Sequence, residues 1–296
     1  MSVKTVVVWW ITCLLWSTVW LVIKVGLRDL PPFTFAGWRL VVALLLVSPA
    51  LLRKPHVVRE IAAHWRLLAT TGILLLGVNY ALVFWGAQYV SSGLTAVLQA
   101  TTPAFGAFVA YLFLNERIRR HQAVGVMVGI AGVAVIFHDR LRNHGAVSAR
   151  GALAIAAGAL CVAIAYVVVA RRGPDLSPLS LIAGQMIAGA IPLIAAGAVI
   201  EGSPLAVRWT QTALFAMLYL AIAGSIAGFW LNYWLLKRVG TTSMLAISIV
   251  EPLFAVLLGA FILHETLSWP VAAGGAAVLL SAWLVNRRAP TASSPP

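Results

Sequence analysis

Ten stretches of about 20 predominantly apolar residues follow one another along this chain of 296 residues. A helix needs about 20 apolar residues to cross a hydrocarbon core roughly 30 Å thick. Only 10% of the residues are charged, which is too few to cover a soluble core of this size. The pattern therefore predicts an all-α integral membrane protein with ten transmembrane helices. We place these at 5–26, 33–52, 66–89, 93–114, 121–138, 151–170, 178–200, 212–236, 240–263 and 269–287.

Other classes of protein fit this pattern poorly. Outer-membrane strands alternate apolar and polar residues over about ten positions, whereas these runs are apolar on all faces. The net charge of +13 is scattered over short loops, so we expect no nucleic-acid partner. The six histidines show no zinc-ligand spacing, and no glycine-rich phosphate loop with a lysine is present. We expect no enzyme activity, no metal and no cofactor.

Basic residues are divided unevenly between the two sides that ten crossings define. Fourteen Lys and Arg flank the spans on the side of both termini, and five lie on the other side. Cytoplasmic loops of multi-pass proteins carry the excess of basic residues. We therefore expect cytoplasmic termini and a cell (inner) membrane location, although the segment 139–150 places three arginines on the other side. The fourteen are Lys4, Arg53, Lys54, Arg59, Arg66, Arg117, Arg119, Arg120, Arg171, Arg172, Lys237, Arg238, Arg287 and Arg288.

The second half of the chain repeats the first. Residues 77–137 align with 226–286 without a gap, at a shift of 149 positions and with nine identities in 61 pairs. The matched pairs include Trp85 with Trp234, Pro103 with Pro252, Phe105 with Phe254, Glu116 with Glu265 and Gly125 with Gly274. We infer two five-helix repeats, 1–143 and 147–288, and a disordered tail, 289–296.

The number of helices in each repeat has a consequence for function. A repeat with five spans must enter the membrane in opposite senses in its two copies. Inverted repeats are characteristic of secondary transporters, whose substrate sites lie near the midplane between the copies. The parity therefore predicts a carrier with alternating access, and a duplicated scaffold without flux is the main alternative.

Five motifs are spread along the chain between residues 14 and 280: LLWSTVWLVIKVGL (14–27), NYALVFWGAQYVSSGLTAVLQATTPAF (79–105), LFLNERI (112–118), VEPLFAVLLGAFILHETL (250–267) and GGAAVLL (274–280). Together they resemble the drug/metabolite transporter superfamily, specifically its EamA-type ten-helix permeases. The resemblance implies ten helices, cytoplasmic termini, a central cavity and transport of small organic metabolites, commonly export. The chain departs from the family at Cys161-Val162-Ala163, where members often carry an aromatic residue.

Glu251 is the one acidic residue near the middle of a predicted span, directly before Pro252. It could bind a proton or a substrate amine, or it could satisfy backbone groups freed by the proline. Pro103 lies at the matching place in the first repeat, and we expect both prolines to kink their helices. Gln99 and Thr102 accompany Pro103, and Ser248 and Glu251 accompany Pro252, so each half offers a polar pair beside a kink. These pairs could line a cavity or could pack between helices.

Aromatic and amide side chains supply the other candidates for a substrate site. Aromatic walls with a few hydrogen-bonding groups suit amphiphilic solutes, although Trp and Tyr also anchor helices at the membrane interface. The candidates are Trp16, Trp20, Asn79, Tyr80, Tyr166, Gln185, Phe229 and Trp230. Lys24 and Arg39 could attract an anion at the outer mouth, or they could pair with an acid such as Asp29.

Two further groups of residues are interpreted as structural. Glu116 and Glu265 end matched helices and are expected to bind loop backbone or basic partners. Gly125, Gly129 and Gly132 permit close packing of helices, within the chain or in a homodimer.

The chain is thus expected to be a secondary transporter that exports small organic metabolites such as amino acids. Its partners would be a small-molecule substrate and the lipid bilayer, with a proton as a candidate coupling ion at Glu251. Multidrug efflux and the carriage of sugars or nucleotide sugars stay open, and an intramembrane enzyme acting on lipid is a further alternative.

Overall fold

The computed structural model describes residues 2–114, 119–172, 176–203, 206–236, 238 and 241–286, without the side chains of 114, 233, 236 and 241–246. Glu116 and the tail 289–296 lie outside this description. Within the described ranges the chain forms α-helices and two π-helical segments, and no strand. The helices are α1 (Val3–Gly26), α2 (Pro32–Leu52), α3 (Pro55–Ala63), α4 (Trp65–Gly72), α5 (Asn79–Ala87), α6 (Ser92–Gln99), α7 (Thr102–Leu114), α8 (Arg120–Arg172), α9 (Pro178–Ile200), α10 (Gln211–Tyr219), α11 (Gly228–Leu236), α12 (Thr241–Ile262) and α13 (Trp269–Asn286).

The helices cross the membrane ten times. In the described part, eight helical stretches are long and apolar enough to span it, and α8 counts once among them although it has 53 residues. A straight helix of that length would extend about 80 Å. Instead Gly145 adopts φ 81°, and Arg171 donates to the carbonyl of Phe113, so both ends of α8 lie near the end of α7. The chain therefore reverses at Gly145, and α8 supplies two crossings while α12 supplies the tenth.

This reversal differs from the sequence prediction of a loop over 139–150. The segment is helical on both sides of Gly145, which tolerates the positive φ because it has no Cβ. The chain also forms α3, a short helix that the sequence analysis did not predict. We call the side on which α1 begins and α13 ends the terminal face, and the other side the opposite face.

Hydroxyl side chains determine where several helices begin. Ser91 accepts a hydrogen bond from the backbone N–H of Leu94 at 3.2 Å, and Thr210 accepts one from Ala213 at 3.0 Å. Such caps satisfy N–H groups that have no partner within the helix, and this need is acute in a membrane.

The third crossing of each repeat contains a π-helical segment. The segments are Ile73–Val78, between α4 and α5, and Leu220–Ala227, between α10 and α11. π-Bulges occur frequently at functional sites, since they re-aim the side chains that follow. In the fourth crossing of the first repeat, the helix is interrupted at Ala100 and Thr101, next to Pro103. In the fourth crossing of the second repeat, α12 continues through Pro252.

Small residues bring helices into backbone contact away from the centre. A Cβ at Gly132 would lie 2.7 Å from the carbonyl oxygen of Gly274, and one at Gly125 would lie 2.8 Å from Val285. These glycines, in the part of α8 that precedes Gly145, therefore face α13 within the same chain. This is a structural role and not a dimer surface. A homodimer through other surfaces stays a prediction. The pairs α2 with α9 and α1 with α12 also pack together.

Candidate substrate cavity

A cavity of about 650 Å³ lies between the two repeats. Its wall is mainly apolar and aromatic, with a few polar groups, as in most sites for small molecules. Of the residues predicted from sequence, those in the wall are Trp16, Trp20, Arg39, Asn79, Tyr80, Gln99, Thr102, Pro103, Tyr166, Phe229, Ser248, Glu251 and Pro252. The tertiary structure thus brings these predicted residues from seven crossings to one space.

The wall of the cavity follows the sequence repeat. Four residues of α1 line it, and so do the four residues of α8 that lie 147 positions later; the pairs are Trp16 with Ala163, Val19 with Tyr166, Trp20 with Val167 and Ile23 with Ala170. A shift of 149 relates four more pairs in the wall, Tyr80 with Phe229, Gln99 with Ser248, Thr102 with Glu251 and Pro103 with Pro252. Both repeats therefore present the same positions to the cavity, from opposite directions.

The two ends of the cavity differ in exposure. Near the opposite face, the wall consists of buried residues, with Ile23 2% and Phe84 0% exposed. Towards the terminal face, Tyr166 is 54% exposed, and Ala170 is exposed as well. The paired positions Ile23 and Ala170 are thus buried near the opposite face and exposed near the terminal face.

Arg39 lies inside the cavity wall and not at an outer mouth. Its Nε donates to the hydroxyl of Ser225 at 3.1 Å, and its guanidinium lies 4.9 Å from the centre of the Tyr80 ring. Ser225 belongs to the second π-helical segment and donates to the carbonyl of Leu220. The π-helical segment therefore helps to orient the arginine.

Glu251 is held from α1. Its Oε1 accepts a hydrogen bond from the indole Nε1 of Trp20 at 2.7 Å. The hydroxyl of Ser17 donates to the backbone carbonyl of Glu251 at 2.9 Å. Side chain and backbone are both fixed by the same helix, so the carboxylate has a defined direction in the wall.

An amide pair forms a third polar group in the wall. Gln99 Nε2 donates to Asn79 Oδ1 at 3.3 Å and to the carbonyl of Ile155 at 2.9 Å. Gly158 leaves room for this pair, because a Cβ there would lie 2.7 Å from Asn79 Oδ1. Asn79 directly follows the first π-helical segment, as expected if that segment positions it.

Three predicted residues lie away from the cavity. Gln185 donates to Thr71 between α9 and α4, and Trp230 is 72% exposed on the outside of the bundle. Lys24 donates to the backbone carbonyls of Ala87, Gln88 and Val90 at 2.7, 3.0 and 2.7 Å. It therefore satisfies carbonyl groups at the C-terminal end of α5. Lys24 does not pair with Asp29, whose Oδ2 accepts a hydrogen bond from Thr210 instead.

Carboxylates join the two repeats at helix N-termini. Glu201 accepts from the backbone N–H groups of Phe33 and Thr34, and Glu265 accepts from Ser92. On the terminal face, Glu60 accepts hydrogen bonds from Ser177 and Ser180. These bonds hold the pKa of Glu60 below its usual range, and the bond from the Ser180 hydroxyl contributes most. The structural role predicted for Glu265 is confirmed, and these carboxylates complement the helix dipoles.

Several apolar residues of the wall were not predicted from the sequence. Val162 and Ala163 line the cavity at the position where the chain lacks the family's aromatic residue, and Val83 and Phe84 line it from α5. The spacing of α1 candidates, carried over by the 147-residue shift, would have pointed to Ala163. Among the described residues, no cluster of His, Cys, Asp and Glu suited to a metal ion occurs.

The fold and the cavity define an all-α integral membrane protein of the transporter class, made of two inverted five-helix repeats. The sequence profile of the EamA-like transporter family matches residues 4–138 and 149–287. The chain therefore belongs to the EamA-like transporter family. Each matched stretch falls within one predicted repeat, and the bounds at 143 and 147 stay predictions.

Individual relatives agree with this assignment. The chain is 31% identical to the "Uncharacterized inner membrane transporter YedA" of Escherichia coli (strain K12), over 86% of this chain and 81% of the relative. It is 28% identical to a "Probable amino-acid metabolite efflux pump" of Salmonella typhimurium, over 91% and 89%. A crystal structure at 19% identity superimposes with a TM-score of 0.64, over 95% of this chain and 97% of the other, which supports the fold alone.

Proposed function

We propose that the protein is a secondary transporter that exports small organic metabolites, such as amino acids or related amphiphilic compounds, by alternating access. The observation that carries the proposal is the repeat-related wall of the cavity, in which paired positions are buried at one end and exposed at the other. Exchanging the conformations of the two repeats would open the opposite face and close the terminal face.

The distribution of charge supports an orientation of the protein in the membrane. The excess of basic residues on the terminal face supports a cytoplasmic location for that side under the positive-inside rule. The present structure would then be inward-facing, in the inner membrane, and ready to load a solute for export. The name of the Salmonella relative, an amino-acid metabolite efflux pump, supports the same direction.

Energy for export would come from a proton. Glu251 lies in the cavity wall and is bonded through Oε1 to Trp20, which supports the proposal that its carboxylate carries a proton between the two faces. Binding of proton and solute at different stages of one cycle would couple their opposite movements.

A single position allows a direct test. Gly106 lines the cavity, and a Cβ there meets no atom within 4 Å. Gly106→Trp should fill the cavity without disturbing the helices, whereas Gly106→Ala should leave it open. In proteoliposomes we expect counterflow of amino acids to be abolished by Gly106→Trp and retained by Gly106→Ala. Equal counterflow in both variants would refute transport through this cavity.

A further inference from the structure

Arg39 brings a charge to the cavity wall that no carboxylate in the described part of the chain neutralises. The residue is only 3% exposed. Its Nε is used by Ser225, but its two terminal nitrogens have no hydrogen-bond partner in the described part of the chain, and no carboxylate there forms an ion pair with it. A buried cation is costly unless it is paired. The terminal nitrogens form a planar fork that suits a carboxylate.

Glu251 shows the complementary arrangement. Its Oε1 is used by Trp20, whereas Oε2 has no hydrogen-bond partner among the described residues. Fixed by α1 through Trp20 and Ser17, the carboxylate presents one free oxygen to the cavity. An ammonium group is a suitable partner, since it would offer charge and up to three donors.

Arg39 and Glu251 line the same cavity, and no ion pair between them occurs in the described part of the chain. At Gly224, a Cβ would lie 3.0 Å from both Arg39 Nη2 and Val19 Cγ2, so the guanidinium lies beside Val19. The next residue of α1, Trp20, binds Glu251. The cation of the cavity thus lies beside Val19, the anion is held by Trp20, and the two form no ion pair with each other.

The remaining ionisable groups near the cavity are already used elsewhere. Lys24 ends α5 by binding three carbonyls, and Glu265 binds the first turn of α6. Among the described residues that line the cavity, Arg39 is the one basic side chain and Glu251 is the one carboxylate. Recognition of charge in this cavity therefore depends on these two residues.

We propose, on the basis of the transport function above, that Arg39 and Glu251 bind the two charged ends of a small zwitterion. Arg39 binds the carboxylate of the solute, Glu251 binds its ammonium group, and the aromatic wall formed by Trp16, Tyr80 and Phe229 contacts the rest of the molecule. A purely cationic solute would meet Arg39, and a purely anionic one would meet Glu251. The pair thus selects zwitterions by repulsion as well as by attraction.

The test compares three ligands that share one side chain. The purified protein is screened with the twenty amino acids by thermal shift, since a ligand that binds the folded state raises its apparent stability. The best of them is then compared, by calorimetry, with its decarboxylated amine and its N-acetyl derivative. We expect the amino acid to bind at least about tenfold more tightly than either derivative, the order of magnitude of one charge-assisted hydrogen bond.

Variants should then give a crossed pattern. Glu251→Gln should weaken the amino acid but not the N-acetyl derivative, and Arg39→Gln should weaken the amino acid but not the amine. If Arg39→Gln does not fold, Arg39→Lys is tested in its place because it keeps the positive charge. This variant should retain part of the preference for the amino acid over the amine. Ser268→Ala, remote from the cavity, is the control.

The proposal is overturned if no amino acid raises the unfolding temperature, if either derivative binds the wild type as tightly as the amino acid, or if each variant weakens all three ligands equally. Transport itself is judged separately. Flux of another solute that Gly106→Trp blocks would preserve the proposed function while removing the zwitterion inference.

Discussion

The carboxylate of Glu265 accepts hydrogen bonds from the backbone N–H and from the hydroxyl of Ser92, at 2.8 Å each. Glu265 follows α12 in the second repeat, and Ser92 begins α6 in the first. Gly259 makes the contact feasible, because a Cβ there would collide with Oε2 of Glu265. The bond joins the repeats at the opposite face, where the cavity is closed.

Loss of this contact should loosen the closed end. Ala96 lines the cavity one turn into α6 and is 1% exposed. With Cys13 and Cys161 replaced by Ala, we expect an Ala96→Cys probe to react with an impermeant maleimide from the opposite face about tenfold faster after Glu265→Ala. A cap of this type contributes about 1–2 kcal/mol. Thr266→Ala, at the exposed neighbour, is the control, and equal rates in both variants would show that the bond does not hold the closure.

Proton coupling at Glu251 predicts a specific loss. In proteoliposomes, Glu251→Gln should transport with a rate that no longer depends on an imposed pH gradient, because the amide cannot carry the proton. Thr102→Val changes the repeat-related residue in the same wall and should keep the gradient dependence even if the rate falls. A gradient effect that persists in Glu251→Gln excludes this residue from coupling.

Stability should depend on pH through Glu60. Its folded-state pKa lies below that of a free glutamate, which is about 4.3, because the ionised form accepts bonds from Ser180 and Ser177. Its contribution is therefore fully present above that value and is lost as the pH falls through the folded-state pKa. We expect wild type to unfold at a higher temperature than Glu60→Gln at pH 7, with a difference that shrinks towards pH 3. A difference independent of pH would contradict the assignment.

Backbone contact between α8 and α13 should be sensitive to a single methyl group. Gly132→Ala places a Cβ 2.7 Å from a backbone oxygen of Gly274, so the helices must move apart. Overpacking of this kind costs about 1–3 kcal/mol. We expect a lower unfolding temperature for Gly132→Ala and little change for Gly106→Ala, where the space is open. Equal stability of the two variants would mean that the α8–α13 contact is not tight.

The sequence predicted the crossings because a helix in lipid must be apolar over its whole length, and this requirement is local. It also located much of the cavity, since polar residues such as Glu251 and Gln99 stand out against an apolar background. The breaks were harder to place. The turn at Gly145 depends on one residue with positive φ, and the surrounding arginines obscured it.

The sequence by itself determined that two copies of a five-helix unit cross the membrane in opposite senses, because apolar length and residue spacing are properties of the chain alone. Only the tertiary structure decided that Arg39 enters the cavity while Lys24 ends a helix, and that Gln185 and Trp230 lie elsewhere. The sequence shows that a polar residue lies on an apolar helix, but it does not show which way the side chain points. The packing of neighbouring helices supplies the direction, by placing partners such as Ser225 and the carbonyls at the end of α5 within reach.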